Sequence, residues 1–274
     1  LVRSWGPPHA PYHTAPPEFR ELYDPETLAL RANVPESVAP EARNWLAGYY
    51  AHCSALDSCV GSLLDTVRAA GIEENTVFVF TSDHGDMLGS HGEIKKQRPW
   101  DESVRVPLLL RHPGLPGWQP RETDAPVDAP DLMPTLLGLC GIPIPDSVEG
   151  LDFSDHIAGG EDPSDGAALL ICPHPFGQWT PAEHGGKPFR GIRTQTHTYV
   201  RDLNGPWLLY DNAADPYQME NLVDTPDAAG TQAELERWLQ KKLDETGDAF
   251  LPGEHYLDIW GYETDETGTV PYTW

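Results

Sequence analysis

The sequence predicts an α/β fold with a smaller C-terminal antiparallel sheet and helix. Three observations predict it. A helical repeat over Glu41–Ala70 leads into a short run, Thr76–Thr81, that is apolar on both faces over Val77–Phe80, the pattern of a strand buried inside a sheet covered on both sides. A second apolar run and a second helix follow. After about residue 166 the pattern changes to short β runs separated by turn residues and closed by a further helix. The expected division is an α/β domain over 1–165 and a C-terminal subdomain over 166–274.

Each element has a local reason. From Leu1 to Pro40 the sequence reads as a short strand and then a loop. Pro7, Pro8, Pro11, Pro16, Pro17, Pro25, Pro35 and Pro40 prevent long regular structure there. In the helix, Trp45, Tyr49, Leu56, Val60, Leu63, Leu64 and Val67 recur at steps of three and four, and Gly71 stands where a C-terminal cap belongs. Val106–Leu110 is the next strand. Asp128–Leu139 is a helix with Asp128 as N-cap and Gly141 ending it. Ala167–Ile171 is a third strand, and Phe189–Thr194, Thr198–Asp202 and Trp207–Asp211 form the small sheet. A helix from about Pro226 to Thr246 precedes an acidic, aromatic tail.

Composition bounds the function. The 274 residues carry 18 basic and 43 acidic side chains, a formal charge of −25. Such a surface repels nucleic acid phosphates and anionic membranes. No run of 18 apolar residues occurs, so no membrane span is expected. The four cysteines show no zinc-ligand spacing. Cys53 and Cys59 fall about 9 Å apart along a helix axis, too far for a disulfide, and all four read as buried free thiols.

The chemistry concentrates in Thr81-Ser-Asp-His-Gly-Asp-Met-Leu-Gly-Ser-His-Gly-Glu-Ile-Lys-Lys96. It follows directly on the apolar strand, at the carboxyl end where α/β sheets bind ligands. Asp83 offers a hard oxygen and His84 a neutral nitrogen, so the pair can hold a divalent cation. Lys95, Lys96 and Arg98 then bring positive charge into an acidic chain, which points to a bound anion. The bland readings are an Asx-capped turn for Asp83 and His84, solvated loop charges for Lys95 and Arg98, a structural role for His91 and a packing role for His52.

These residues resemble a known family. Val-Phe-Thr-Ser-Asp-His-Gly-Asp-Met-Leu-Gly-Ser-His-Gly, then Lys96 and Arg105-Val-Pro-Leu, look like the sulfatases of the alkaline phosphatase superfamily. Trp5-Gly-Pro-Pro-His-Ala-Pro-Tyr12 resembles their Pro-His-x-Pro segment. Tyr49–Gly61, Val127–Leu137, Arg190–Thr194 and Leu209–Leu222 resemble later segments in the same order. The resemblance implies part of an alkaline-phosphatase-like mixed sheet flanked by helices, and metal-dependent hydrolysis of a sulfate ester on a small molecule or glycan. It implies Asp83 and His84 as ligands of one Ca²⁺ and Lys96 as the residue holding the sulfate, with Lys95 its competitor. It implies His9 as the group assisting departure of the alcohol, and a periplasmic, secreted or lysosomal setting.

Two family features are missing from these residues. No Cys or Ser opens the Cys/Ser-x-Pro-x-Arg motif that yields the formylglycine nucleophile, and no Asp-Asp pair occurs. Both precede the Pro-His-x-Pro segment in the family, so the chain is expected to be a C-terminal portion, inactive alone. Two other functions stay open at this stage. One is a phosphodiesterase or phosphonate monoester hydrolase of the same superfamily; the other is a non-catalytic domain that retains the fold.

Overall fold

The computed structural model describes residues 1–116, 118–177 and 185–271. The chain divides into two compact units, residues 1–96 with 101–120, and residues 97–100 with 121–274.

The first unit is organised by helix α1, Ala39–Ala69. Its buried positions are small or polar: Ala42, Ala47, Ala51 and His52. Small residues there let backbone approach the helix closely. A Cβ on Gly48 would stand 2.3 Å from the Tyr12 carbonyl oxygen, and one on Gly89 would stand 2.7 Å from the Ala42 methyl. The N-terminal half of α1 therefore seats two loops, 9–14 and 83–96. His52 is 2 % exposed and its Nε2 lies 3.2 Å from the Thr14 hydroxyl, which pins the first loop. Burial lowers the pKa of this imidazole, with the Pro8 carbonyl acting the other way. The packing role expected for His52 is thus where the structure puts it.

Strand β1, Phe78–Thr81, pairs antiparallel with β2, Leu108–Arg111, with Phe80 opposite Leu109. Here the expectation of an interior strand needs correction. Among the described residues β1 is hydrogen-bonded on one side only, its residues are half-buried or exposed, and Leu109 across from it is 63 % exposed. Apolarity on both faces does not by itself supply the second neighbour. The short N-terminal strand is also absent; the described residues before α1 form 3-10 turns and the four-residue helix Pro17–Arg20, as the dense prolines dictate.

The second unit holds a four-stranded antiparallel sheet, β3 (Ala167–Cys172), β4 (Phe189–Thr194), β5 (His197–Asp202) and β6 (Gly205–Asp211), in that order. Alternate residues separate its two faces. Ile192, Tyr199 and Leu209 bury one face against Leu235, Leu239 and Leu243 of helix α3, Ala229–Thr246. Phe189, Val200, Leu208 and Tyr210 pack on the other with Trp100 and Trp207. Helix α2, Leu132–Leu139, follows a 3-10 turn capped reciprocally by Asp128 and Asp131. The second Asp128 oxygen accepts the Leu169 N–H at 3.0 Å and Asp131 accepts that of Leu151 at 2.7 Å. These bonds tie residues 128–151 to β3, so the compact units part near residue 120 rather than at 165/166.

Gly247 ends α3 in a left-handed conformation, with the Asp248 N–H bonded back to Leu243 in the manner of a glycine C-cap. That cap delivers Asp248 to Arg190 of β4, which is 1 % exposed. Asp248 takes the Arg190 Nε and, at 3.3 Å, its Nη2.

The cysteines are free, as expected. Their burial is not: Cys172 is buried, Cys53 is half-buried, and Cys59 and Cys140 are exposed. Cys59 stands on the solvent side of α1, where residues 57–59 are exposed together.

Candidate active site

The five candidate site residues, His9, Asp83, His84, Lys95 and Lys96, lie in the first unit. The structure brings His9, Asp83, His84 and Lys96 together, and places Lys95 on the wall of a neighbouring cleft. The Lys96 ammonium donates to His9 Nε2 at 2.6 Å. The His9 and His84 rings meet edge to face, centroids 5.8 Å apart. His84 Nε2 is 3.7 Å from the Asp83 carboxylate. Both imidazoles spend Nδ1 in the same way: that of His9 donates to the Ala10 carbonyl at 2.8 Å, and that of His84 to the Gly85 carbonyl at 2.8 Å. A carbonyl only accepts, so Nδ1 carries the proton in each and Nε2 presents a lone pair.

The loop after β1 reaches this geometry through uncommon backbone. Leu88, His91, Lys95 and Gln97 all have positive φ, 60° at Lys95. Such residues are held by their surroundings against a local cost. The holding group is Asp86. Its Oδ1 accepts the Leu88 N–H at 3.2 Å and the Lys95 N–H at 3.1 Å, and its Oδ2 accepts the Tyr12 hydroxyl at 2.7 Å. One carboxylate thus joins the loop carrying His9 to the turn carrying Lys96. Burial, then the Asp86 charge and hydrogen bond, push the Tyr12 pKa upward, so this phenol stays a donor. Asp86 and Tyr12 were not singled out from sequence. The available signal was a carboxylate inside a glycine-rich loop; its partner lies 74 positions away.

Removing this joint makes a prediction. Asp86→Ala should cost about 10–100-fold in activity, as loss of an orienting contact does at other sites, while Tyr12→Phe should cost less because the two backbone bonds survive. Kinetics of both variants, with melting curves to confirm folding, check this ordering.

Electrostatics set Lys96 apart. Burial lowers its pKa, Lys95 acts in the same direction, and Asp83 and Asp86 oppose both. The other flagged residues have structural partners. The Asn33 amide lies 3.1 Å from His91 Nε2 and donates to Glu102 at 2.8 Å, consistent with a structural His91. Arg98 is not a solvated charge: it is 4 % exposed and belongs to the second unit.

Asp83 and His84 offer a metal two kinds of donor, a carboxylate oxygen and an imidazole nitrogen. Asp83 keeps Oδ2 clear, and its Oδ1 accepts the His84 N–H at 3.0 Å. Its side chain is 86 % exposed. With His84 Nε2 beside it, the pair fits as two members of a donor set. Ca²⁺ takes six to eight ligands, and among the described residues no group of three or more His, Cys, Asp or Glu stands ready to hold one.

Comparison with known proteins gives the same frame. The sulfatase family pattern matches residues 5–142, and that of the N-sulphoglucosamine sulphohydrolase C-terminal region matches residues 89–245. An ulvan-active sulfatase of Formosa agariphila is 41 % identical over 263 residues, covering 95 % of this chain and 51 % of that protein. A crystal structure from Bacteroides fragilis, assigned to the sulfatases as yidJ, superposes with a TM-score of 0.76 at 29 % identity, over 89 % of this chain and 53 % of that one. Another structure, in complex with its substrate D-glucosamine-2-N,6-O-disulfate, superposes at 0.66 and 28 % identity, over 81 % and 45 %. The chain spans about half the length of the curated relatives it matches. Two family patterns that overlap over residues 89–142, and a relative matching nearly the whole chain, lead to one assignment: the chain belongs to the sulfatase family.

Proposed function

We propose that this chain carries the sulfate-binding and leaving-group side of a sulfuric ester hydrolase site, acting on a sulfated sugar or small molecule. The observation that carries the proposal is the 2.6 Å contact between the Lys96 ammonium and His9 Nε2, beside His84 and Asp83. A sulfate ester presents anionic oxygens and a leaving oxygen that gains charge as the S–O bond breaks. An ammonium group beside a neutral imidazole suits both demands. Substrate entry replaces the direct Lys96–His9 bond with one contact from each group to the ester. Lys96 offsets the sulfate charge. His9, held at Nδ1 by the Ala10 carbonyl, takes up a proton from solvent at Nε2 once Lys96 has turned to the sulfate, and as the imidazolium it gives that proton to the departing alkoxide and returns to the neutral form. The ulvan-active sulfatase among its relatives and a structural neighbour bound to a disulfated glucosamine as its substrate support sulfate as the anion and a sugar as the alcohol.

Asp83 and His84 would hold the divalent cation together with further donors; the ion supplies charge neutralisation at the sulfate oxygens. No Cys or Ser of the 274 residues opens the formylglycine motif.

The test separates metal from substrate contacts. Asp83→Ala removes one anionic oxygen ligand, so activity of the native protein should fall and recover in part as Ca²⁺ is raised. Calcium titration of activity and calorimetric Ca²⁺ binding measure this. An Asp83→Ala variant with unchanged calcium affinity would remove the metal role.

A further inference from the structure

Loop 9–14 brings His9 to the Lys96 ammonium, and helix α1 seats that loop at two places. At Gly48 the Tyr12 main chain occupies the space a Cβ would need. One turn further along, His52 meets Thr14.

The hydrogen bonds around His52 fix where its proton sits. The Thr14 hydroxyl has one hydrogen and donates it to the Pro11 carbonyl at 2.8 Å. Toward His52 Nε2, 3.2 Å away, that hydroxyl therefore accepts, so Nε2 carries the N–H and Nδ1 holds a lone pair. This is the opposite tautomer to that of His9 and His84. Nδ1 is buried, and among the described residues it has no hydrogen-bond partner. A second proton there would create a buried donor without an acceptor, on a ring that has also become a cation.

No neighbour offsets that charge. Among the described residues no ion pair or ring contact joins His52 to Tyr49 or Cys53 of α1, to His9, Tyr12 or His13 of the loop, or to Asp83 or Asp86 of loop 83–96. Asp86 gives its oxygens to Tyr12, Leu88 and Lys95. Burial, which lowers the His52 pKa, and the Pro8 carbonyl, which raises it, are the causes that act on the ring.

We propose that His52 is a positioning residue for His9, effective only as the uncharged Nε2–H donor, and that mild acid frees loop 9–14 by protonating Nδ1. The bearing on catalysis rests on the reading of His9 as the leaving-group residue; the hold on the loop does not. An exposed imidazole takes up its proton near pH 6.5. The buried ring resists that proton, so the loop is fully held above about pH 6.5 and its hold weakens as pH falls below it.

The test is hydrogen exchange of the native protein at pH 7.5 and pH 5. It is read as the protection factor of a peptide spanning residues 8–15, with one spanning β4 as internal reference. His52→Gln keeps an N–H donor that takes no proton, and His52→Leu keeps apolar bulk without a donor. Melting curves confirm that each variant folds. Wild-type protection of residues 8–15 should fall at least threefold at pH 5 relative to β4. His52→Gln should match wild type at pH 7.5 and keep its protection at pH 5. His52→Leu should be at least threefold less protected at both. Nitrogen chemical shifts of the His52 ring should report the Nε2–H tautomer at pH 7.5. Wild-type protection that ignores pH, a His52→Gln as acid-sensitive as wild type, a fully protected His52→Leu, or the Nδ1–H tautomer would overturn the proposal. If His52→Leu does not fold, wild type and His52→Gln decide the question. No sulfate ester is turned over in these measurements, so they stand or fall separately from the roles of His9 and Lys96 in hydrolysis.

Discussion

In a protein that also supplies the formylglycine nucleophile, Lys96→Ala is expected to lower kcat/KM for sulfate ester hydrolysis by about 10²–10³, the usual cost of a preorganised charge contact at a reacting centre. On the proposed reading the ammonium group would meet the sulfate in the ground state and more strongly as charge develops, so the loss should divide between KM and kcat. No calcium concentration restores it, which distinguishes it from Asp83→Ala. Lys95→Ala is expected to be the milder change. The Lys95 side chain lines the neighbouring cleft, and its backbone N–H, which Asp86 holds, survives the substitution. Steady-state kinetics of the two variants check the assignment; a near-normal Lys96→Ala with an inactive Lys95→Ala would move the anion contact by one residue.

The second large effect is on stability. Asp248→Asn is expected to destabilise the protein by about 3 kcal/mol, the lower end of the cost of stripping a buried cation of its partner. The lower end applies because Arg190 keeps the Cys172 and Phe189 carbonyls at 3.2 and 2.9 Å and the Tyr256 hydroxyl at 3.1 Å. Burial alone would raise the Asp248 pKa; the Arg190 hydrogen bond, the Phe250 N–H and the Tyr256 hydroxyl outweigh it and hold it below 3.8. A carboxyl depressed in the folded state contributes stability above its unfolded pKa and loses it as pH falls through the folded value. The gap between wild type and Asp248→Asn should therefore be full at neutral pH and close below about pH 4. Urea melts at pH 7 and pH 3 measure it.

Much of this architecture was legible because its causes are local. The steps of three and four that predict a helix over Glu41–Ala70 correspond to Ala39–Ala69. Asp128, Gly71 and Gly141 mark helix ends that the structure realises with a capping box and left-handed glycines. Phe189–Thr194 is a strand with the limits its pattern predicts. What was not legible depends on partners distant in sequence. The Tyr12–Asp86 and His9–Lys96 contacts join residues 74 and 87 positions apart, and neither spacing has a periodic signature. The family motifs placed His9, Asp83, His84 and Lys96 in one site, but not the carboxylate that joins their loops. Whether β1 has one neighbour or two, and whether Cys59 faces solvent, likewise follow from tertiary surroundings that apolarity alone does not encode.

The central claim is that His9 protonates the leaving oxygen while Lys96 offsets the sulfate charge, and one ratio tests it most directly. Activity of His9→Ala relative to wild type is measured, in a protein that also supplies the formylglycine nucleophile, on 4-nitrophenyl sulfate and on a sulfated sugar. A nitrophenolate departs with little need of a proton, whereas a sugar alkoxide needs one. The account predicts a loss on the sugar sulfate at least tenfold larger than on the aryl sulfate. Equal losses on the two substrates would contradict it.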